Sequence, residues 1–344
     1  MNSLRNEAAS ILEAMKPFDP SRRFRSPAAL LLLLFFALAL LLPAQEPVPP
    51  VPTETLRVEV GVVNLYCTVK EKSGRLVTSL AAEDFEVRED GQKQQIKYFT
   101  RETDRPLTLA LLVDTSISQQ AVLAIEKDAA TQFFQQVLRP VDMALLITFD
   151  VNVDLLQDFT QEVEPLERAL QRARINAPVN LGPFPRTGIT GTRLYDAVYL
   201  ASREKMAPEV GRKAIILVSD GVDAGSDLKE MDALEAAQRS DTIIYAIGIA
   251  DPDYYRGAIG RGYSGSGTLK KLAEDTGGRA YFPSNPEKLQ EAFDQIGAEL
   301  RSQYSLGYSP TNRARDGRFR KIEVKVKGKD LRVQARRGYY APRS

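Results

Sequence analysis

Three short polar segments of the chain carry oxygen side chains of the kind that bind hard metal ions. The first is a D-x-S-x-S motif made by Asp114, Ser116 and Ser118. The second is a Gly-Thr pair ending at Thr192, and the third is an S-D-G segment centred on Asp220. These side chains supply carboxylate and hydroxyl oxygens and no nitrogen or thiolate. Such a set suits Mg²⁺, which takes carboxylates, hydroxyls and water in an octahedral arrangement.

The surrounding elements are expected to bring these segments to one place. Apolar runs typical of buried strands, 107–113 and 215–218, end just before Asp114 and Asp220, and Thr192 precedes a helical pattern. In an open parallel α/β sheet, ligands bind beyond the carboxyl ends of the strands, where the strand order reverses. We therefore predict that the three segments meet at one sheet edge. The alternative is that these residues only cap helices and form turns.

The three motifs together resemble the metal-ion-dependent adhesion site of von Willebrand factor A-type (VWFA) domains. The resemblance covers roughly Pro106 to Leu300. The chain looks most like the bacterial exported VWFA-related proteins, because it resembles them outside that range too, in its E-D-F-E-V-R-E-D-G and R-R-G-Y-Y-A-P segments. It implies a site for Mg²⁺, with Mn²⁺ or Ca²⁺ as alternatives, whose sixth position is left for an acidic side chain of a partner protein. By this resemblance the metal-site residues, some acting through water, are Asp114, Ser116, Ser118, Thr192 and Asp220.

Other residues are predicted to assist this site. Asp223 and Gly191 are candidates to support it without binding the ion. For Asp223 a simple role in turn formation is the favoured interpretation. The glycine-rich loop 252–267 is expected to lie at the surface, where tyrosines favour recognition; an exposed loop without contacts is the alternative. The candidate partner contacts in this loop are Tyr254, Tyr255 and Tyr263.

Two further motifs are rejected as sites. The D-x-N-x-D motif beginning at Asp150 starts like an EF-hand calcium loop, but Leu155 stands where that loop needs Gly and Gln161 where it needs Glu. The G-x-G-x-x-G motif beginning at Gly260 lacks the strand-to-helix context of a nucleotide site. We interpret the first as a turn between strands and the second as a flexible loop.

Composition excludes several classes of function. The 344 residues carry a net charge of +1, which does not indicate a nucleic-acid-binding protein. The absence of His excludes a Ser-His-Asp triad and every His-ligated metal site. The single cysteine, Cys67, cannot form an intrachain disulfide, and its strand-like surroundings predict a buried core residue rather than a reactive thiol.

The N-terminal segment, residues 1–44, has the layout of a signal peptide. Arg22, Arg23 and Arg25 precede an apolar run at 28–42, which is shorter than the ~20 residues of a spanning helix. Cleavage after Ala44 is expected, with an uncleaved signal anchor as the alternative. The protein is therefore predicted to be periplasmic, in the cell envelope or secreted, with membrane contact only through this segment if it is retained.

The rest of the chain divides into three parts after a stiff Pro-rich linker at 45–54. Residues 55–104 and 304–344 are β-rich, whereas 105–303 alternates strands and helices. This alternation predicts a doubly wound α/β domain, VWA/Rossmann-like, with a mostly parallel sheet covered on both faces. Because neither β segment is expected to fold alone, we predict that the two pack together as one discontinuous module into which the α/β domain is inserted.

Local patterns give three more detailed predictions. A helix over Ser118–Val137 should bury a stripe that includes Val122, Ile125, Ala129 and Phe133. A hairpin should form around Asp90-Gly91, joining 85–87 to 96–98. A second hairpin should join the alternating run 320–327 to 331–335.

The favoured function is a binding module in which a partner Asp or Glu displaces water from the metal ion. Neutral Ser and Thr ligands leave such an ion short of negative charge, so it still attracts a carboxylate. A metal-assisted hydrolase and a purely structural metal are the alternatives. No candidate base is evident beyond the ligands, so the protein is predicted not to be an enzyme. In the family, ligand exchange can move the last helix, here about 286–300; whether this chain does so is a conjecture.

Overall fold

The structure, a computed structural model, describes residues 61–102, 105–175, 191–249 and 265–343. The strands, in chain order, are β1 (Val63–Glu71), β2 (Phe85–Glu89), β3 (Gln92–Gln94), β4 (Ile96–Glu102), β5 (Leu107–Asp114), β6 (Met143–Phe149), β7 (Val153–Thr160), β8 (Arg212–Ser219), β9 (Thr242–Gly248), β10 (Ala280–Tyr281), β11 (Gln303–Tyr308), β12 (Phe319–Val326), β13 (Leu331–Ala335) and β14 (Gly338–Tyr340). The α-helices are α1 (Leu123–Val137), α2 (Val163–Arg172), α3 (Leu194–Leu200), α4 (Glu230–Arg239), α5 (Ser266–Thr276) and α6 (Pro286–Leu300). A π-helical turn, Ala201–Met206, extends α3.

The central sheet has the strand order β10-β9-β8-β5-β6-β7. All neighbouring pairs are parallel except β6 and β7, which are antiparallel at one edge. The chain runs outward from β5 to β6 and β7, and then returns to β8 on the other side of β5. The strand order therefore reverses beside β5, which is where a ligand site is expected in this class of sheet.

Helices cover both faces of this sheet. Leu109, Leu111 and Val113 of β5 belong to the core under α1, α2 and α6. Ala110 and Leu112 of the same strand belong to the core under α3, α4 and α5. A strand that is buried on both faces favours apolar residues at successive positions, which explains the apolar run from Leu109 to Val113 before Asp114.

The β-rich segments at the two ends of the α/β part form two shared antiparallel sheets. Their orders are β13-β1-β11-β4 and β14-β12-β2-β3, so each sheet contains strands from both segments. The sheets enclose a third core that includes Leu65, Val87 and Leu306. Cys67 lies in this core, and burial raises the pKa of its thiol to about 12. The described residues all belong to one compact unit, Glu59–Ser344.

The predicted hairpins differ from the observed pairing. Asp90 and Gly91 have positive φ angles, 47° and 82°, and turn the chain from β2 into β3 as expected for an Asp-Gly turn. However, β4 leaves for the other sheet and pairs with β11. Likewise β12 pairs with β2 and β14, whereas β13 pairs with β1. The second predicted hairpin is therefore wrong, because the chain crosses between the two sheets at the Gly328 turn.

Helix α1 also differs from its predicted boundaries and face. It begins at Leu123 rather than Ser118, after a short 3₁₀ turn at Ile117–Gln119. The side chain of Ile125, predicted to be inward, is 38% exposed, and Glu126 is only 2% exposed. The buried stripe thus contains a carboxylate where the pattern favoured an apolar residue.

Within the described residues, no helix is both long and apolar enough to cross a membrane. The predicted signal segment and the Pro-rich linker lie outside those residues.

Candidate metal-binding site

The carboxyl ends of β5 and β8 place two carboxylate segments side by side. The two strands are in parallel register up to Val113 and Val218, so Asp114 follows on one strand and Ser219 on the other. The Ser219 hydroxyl donates a hydrogen bond of 2.6 Å to Oδ2 of Asp114. The residue after it, Asp220, is therefore held beside Asp114 at the point where the strand order reverses.

The D-x-S-x-S turn folds back onto this pair of strands. Oδ1 of Asp114 accepts the backbone N–H of Ser116 at 2.9 Å, which fixes the turn. The hydroxyl oxygens of Ser116 and Ser118 are 3.0 Å apart, and the Ser118 hydroxyl donates to Oδ2 of Asp220 at 2.7 Å. The structure therefore joins four of the five predicted metal-site residues in one buried cluster of oxygens.

Gly221 allows the chain to turn directly after Asp220. Its φ is +76°, and a side chain there would meet the carbonyl oxygen of Gly265 at 2.4 Å. The turn is closed by Oδ1 of Asp220, which accepts the N–H of Val222 at 2.9 Å. Only glycine satisfies both the left-handed backbone and the close approach of the residue that precedes α5.

Thr192 is held at the same edge by backbone contacts. Its carbonyl accepts the N–H of Ala224 at 3.1 Å, and the next N–H, from Arg193, donates to the carbonyl of Asp150 at 2.8 Å. Gly191 packs against Gly225, whose Cα would lie 3.4 Å from an added Cβ. The buried Thr192 is thus fixed between the loop that follows Asp220 and the end of β6.

The carboxylates next to this cluster have structural partners. Asp223 accepts hydrogen bonds from the Ser226 hydroxyl at 2.5 Å and from the N–H of Tyr195 at 3.3 Å, so it ties its loop to the start of α3. Asp150 accepts the Thr115 hydroxyl at 2.9 Å and the N–H of Asn152 at 3.0 Å. These contacts fit the turn interpretation of Asp223 and the rejection of a calcium loop at Asp150.

Burial and mutual repulsion make the cluster electrostatically unusual. Loss of solvation, and after it the negative charge of Asp220, together raise the pKa of Asp114 from 3.8 to about 7. Hydrogen bonds from Ser116 and Ser219 oppose this shift only in part. A divalent cation would relieve such repulsion directly.

Two side chains that sequence reasoning missed also border the cluster. Oε1 of Gln119 and both carboxylate oxygens of Glu126 are buried and have no hydrogen-bond partner among the described residues. Both residues follow the D-x-S-x-S motif closely. The hydrophobic pattern gave no signal for Glu126, because it favoured its neighbour Ile125 for the inward face of α1.

The donor set fits a hard cation that is bound partly by neutral oxygens. In the part of the chain that the structure describes, no group of three or more His, Cys, Asp or Glu side chains is placed to hold a metal ion. A cation here would therefore depend on the hydroxyls of Ser116, Ser118 and Thr192 together with two carboxylates. The candidate partner contacts lie outside the described residues: Tyr254, Tyr255 and Tyr263.

Comparisons with known proteins add a likeness of fold. No protein-family model and no curated relative matches the chain. Among solved structures, it is similar to BatB from Bacteroides thetaiotaomicron, with 18% identity over 57% of this chain and 99% of that one, at a TM-score of 0.42. It is also similar to the vWF domain of the type V pili tip protein Mfa5 from Porphyromonas gingivalis, with 16% identity over 57% and 95% of the two chains, at a TM-score of 0.42.

A third similar structure is an aerotolerance-related membrane protein from Bacteroides fragilis, with 17% identity over 56% of this chain and 98% of that one, at a TM-score of 0.41. The chain is similar to a von Willebrand factor A-type domain. Identities and TM-scores this low carry no argument about function, which has to come from the site itself.

Proposed function

We propose that this protein is an exported binding module whose bound Mg²⁺ is completed by an acidic side chain of a partner protein. The observation that carries the proposal is the buried cluster in which two carboxylates, Asp114 and Asp220, are linked through serine hydroxyls where the strand order reverses. This is the position at which sheets of this class bind ligands.

The hydrogen bonds of the cluster support a role in cation binding. The hydroxyls of Ser118 and Ser219 each direct a proton at a carboxylate, which partly compensates its negative charge. A hydroxyl can also present lone pairs, so Ser116 and Ser118 could rotate to face a cation without a change of backbone. The residues that would hold the ion are Asp114, Ser116, Ser118, Thr192 and Asp220.

The charge of this donor set supports recognition of an acidic partner. Two carboxylates at most neutralise a divalent cation, and the three hydroxyls add no charge. Mg²⁺ keeps water where the protein supplies no ligand, and a partner carboxylate could replace that water with a charge-assisted contact. The ion supplies Lewis acidity, while the residues of the chain orient it and hold it at the sheet edge.

Export is part of the proposal and is supported by the N-terminal sequence. A basic region, an apolar core and a small residue before residue 45 have the order of a secretory signal. The absence of intrachain disulfides is compatible with export, because three separate apolar cores stabilise the fold.

Calorimetric titration with Mg²⁺ tests the site directly. Wild type should give saturable heat, and Asp114→Ala should abolish it because the central carboxylate is lost. Thr192→Ala should weaken binding by about tenfold, the loss expected for one supporting ligand. The matched control is Asp154→Ala, which removes an exposed carboxylate on β7 and should bind like wild type. Absence of saturable heat with wild type would contradict the proposal.

Affinity capture from an envelope extract tests the partner. Wild type with Mg²⁺ should retain a partner that is lost with EDTA and with Asp114→Ala, because both remove the bridging ion. Retention that neither treatment changes would reject a metal-bridged contact. Metal-dependent turnover of a phosphoester or peptide would instead favour the hydrolase alternative.

A further inference from the structure

Glu126 is a buried carboxyl group without a hydrogen-bond partner. It lies in the first turn of α1 and is 2% exposed, and both of its carboxylate oxygens lack a hydrogen bond among the described residues. Burying a polar group without a hydrogen bond is energetically unfavourable. Such a group in a folded protein requires an explanation, and an ion or water that it contacts is one of the few.

The backbone places Glu126 on the same side of its helix as the D-x-S-x-S motif. The N–H of Gln119 donates to the carbonyl of Ser116 at 2.9 Å, that of Val122 to Gln119 at 3.0 Å, and that of Glu126 to Val122 at 3.0 Å. These hydrogen bonds place Ser116, Gln119, Val122 and Glu126 on successive turns along one side of the segment. Helical side chains lean toward the N-terminus of the helix, so Glu126 leans back toward the serines.

Gln119 lies between the serines and Glu126 in this series of turns. It is fully buried, and its side-chain nitrogen donates to the carbonyl of Ile249, at the end of β9, at 3.4 Å. Its side-chain oxygen has no hydrogen-bond partner among the described residues. Unsatisfied acceptor oxygens therefore lie on two successive turns beside the carboxyl ends of the strands.

The charges acting on Glu126 come from the same cluster. Burial raises the pKa of its carboxyl well above its usual range, and the negative charges of Asp114 and Asp220 raise it further. Glu126 thus lies within the field of both carboxylates. However, it is not grouped with them closely enough to hold one ion in common directly.

We propose that Glu126 belongs to the cation site, where it acts on the bound Mg²⁺ through bridging water and raises the affinity of the site for the ion. This inference rests on the proposed function. It assigns a purpose to the buried carboxyl that neither the motif nor the packing of α1 requires. Glu126 is a positioning residue in this scheme, because it holds water of the ion rather than the ion itself.

The test compares Glu126→Gln with Asp128→Asn, a control that removes an exposed carboxylate from the same helix. Mg²⁺ alone is titrated into each protein by calorimetry, and melting temperatures are measured in EDTA. Glu126→Gln should bind Mg²⁺ about 10–100-fold more weakly, the usual effect of losing a group that orients a metal's ligands. Asp128→Asn should bind like wild type.

The metal-free melting temperature separates this role from a structural one. Because the Glu126 carboxyl has no partner to lose, Glu126→Gln should melt no lower than wild type in EDTA. Glu126→Asp, which keeps the charge, should recover part of the Mg²⁺ affinity. A Glu126→Gln protein that fails to fold or melts lower in EDTA would show a structural role and overturn the proposal.

Calorimetry also separates failure of this inference from failure of the proposed function. If Asp114→Ala loses Mg²⁺ while Glu126→Gln binds it like wild type, the cation site stands and the role of Glu126 is rejected. If wild type itself gives no saturable binding, both proposals fall.

Discussion

Ser219 contacts both carboxylate segments of the candidate site, although it is not one of the five predicted metal-site residues. Its hydroxyl donates to Asp114 and accepts the N–H of Gly221 at 2.9 Å, so it links the two carboxylate segments and closes the turn after Asp220. Its hydrogen bond is one of the influences that lower the pKa of Asp114 against the stronger effect of burial. The hydroxyl protons of Ser118 and Ser219 therefore link the two carboxylate segments.

The raised pKa of Asp114 predicts that the metal-free protein loses stability as pH rises from about 4 to 7. Over this range the folded state keeps the Asp114 proton while the unfolded state has released it, so the proton favours folding. A shift from 3.8 to about 7 corresponds to roughly 4 kcal/mol at about 1.4 kcal/mol per pKa unit. Glu126 contributes with the same sign.

Urea unfolding in EDTA between pH 4 and pH 8 measures this dependence. Carboxylates whose pKa is lowered by partners, such as Asp158 beside Lys205, act in the opposite direction only below about pH 4. Asp114→Asn should flatten the slope, since it cannot titrate. A wild-type stability that is constant or rises from pH 4 to pH 7 would contradict the prediction.

Residue types and spacing were sufficient to predict which segments meet, but not everything that surrounds them. Asp114, Ser116, Ser118 and Asp220 could be predicted to lie together because side chains with carboxylate and hydroxyl oxygens recur at the ends of two apolar runs. Glu126 could not, because a hydrophobic pattern assigns the inward face to apolar residues and favoured its neighbour Ile125. A rule based on the hydrophobic effect does not predict a buried carboxyl group.

At the scale of elements, α1 is positioned by its contact with α6. The rings of Phe133 and Phe293 are 5.2 Å apart between their centroids. A side chain added to Gly297 would meet Val137 at 2.7 Å, so glycine lets the two helices approach closely. This contact fixes the C-terminal half of α1 against α6.

Truncation of one inward and one outward side chain tests which face of α1 is buried. Phe133→Ala should lower the free energy of unfolding by about 3–5 kcal/mol, because Phe133 is fully buried and its loss leaves a cavity. Ile125→Ala should cost under about 1 kcal/mol, because Ile125 is partly exposed. Chemical denaturation measures both, and similar losses would contradict the observed face of the helix.

The strands show a second limit of sequence reasoning at this scale. Alternation correctly predicted that 85–87, 320–327 and 331–335 are extended, because that pattern reflects burial of one face. It did not predict their partners, since β12 and β13 join different sheets. Pairing between distant segments depends on packing across the whole β-rich part. A short stretch of sequence carries no information about that packing.

At the scale of the whole molecule, polar contacts join the antiparallel sheets to the α/β part. Lys70 of β1 forms an ion pair of 2.6 Å with Glu299 of α6, and the Tyr281 hydroxyl donates to the same carboxylate at 2.8 Å. Arg336 donates to the carbonyl of Asn64 at 2.8 Å and pairs with Asp241. Arg336 thus links β1 to Asp241, which directly precedes β9 of the central sheet.

The C-terminal end of α6 is held by further contacts. The buried Arg212 donates to the carbonyl of Leu300 at 2.5 Å and to that of Arg105 at 2.5 Å. Arg301 pairs with Asp142 and donates to the carbonyl of Val137. The movement of the last helix that the family resemblance suggests would have to break these contacts or stop short of them.

The ion pair between Lys70 and Glu299 gives a test of this coupling. Lys70→Met keeps the length of the side chain but leaves the fully buried Glu299 with only the more distant cation of Arg279, at 3.4 Å. Breaking a buried pair costs about 3–5 kcal/mol, and Arg279 should offset part of that loss. Lys72→Met is the matched control, because Lys72 and its partner Asp330 are exposed and such pairs contribute about 1 kcal/mol or less.

Urea unfolding of both variants measures the difference. The double variant Lys70→Met with Glu299→Gln should regain much of the stability, because the uncompensated carboxylate is gone. If Lys70→Met unfolds with the same free energy as Lys72→Met, the ion pair does not connect the two parts of the molecule. In that case the coupling would have to come from Arg336 and its contacts instead.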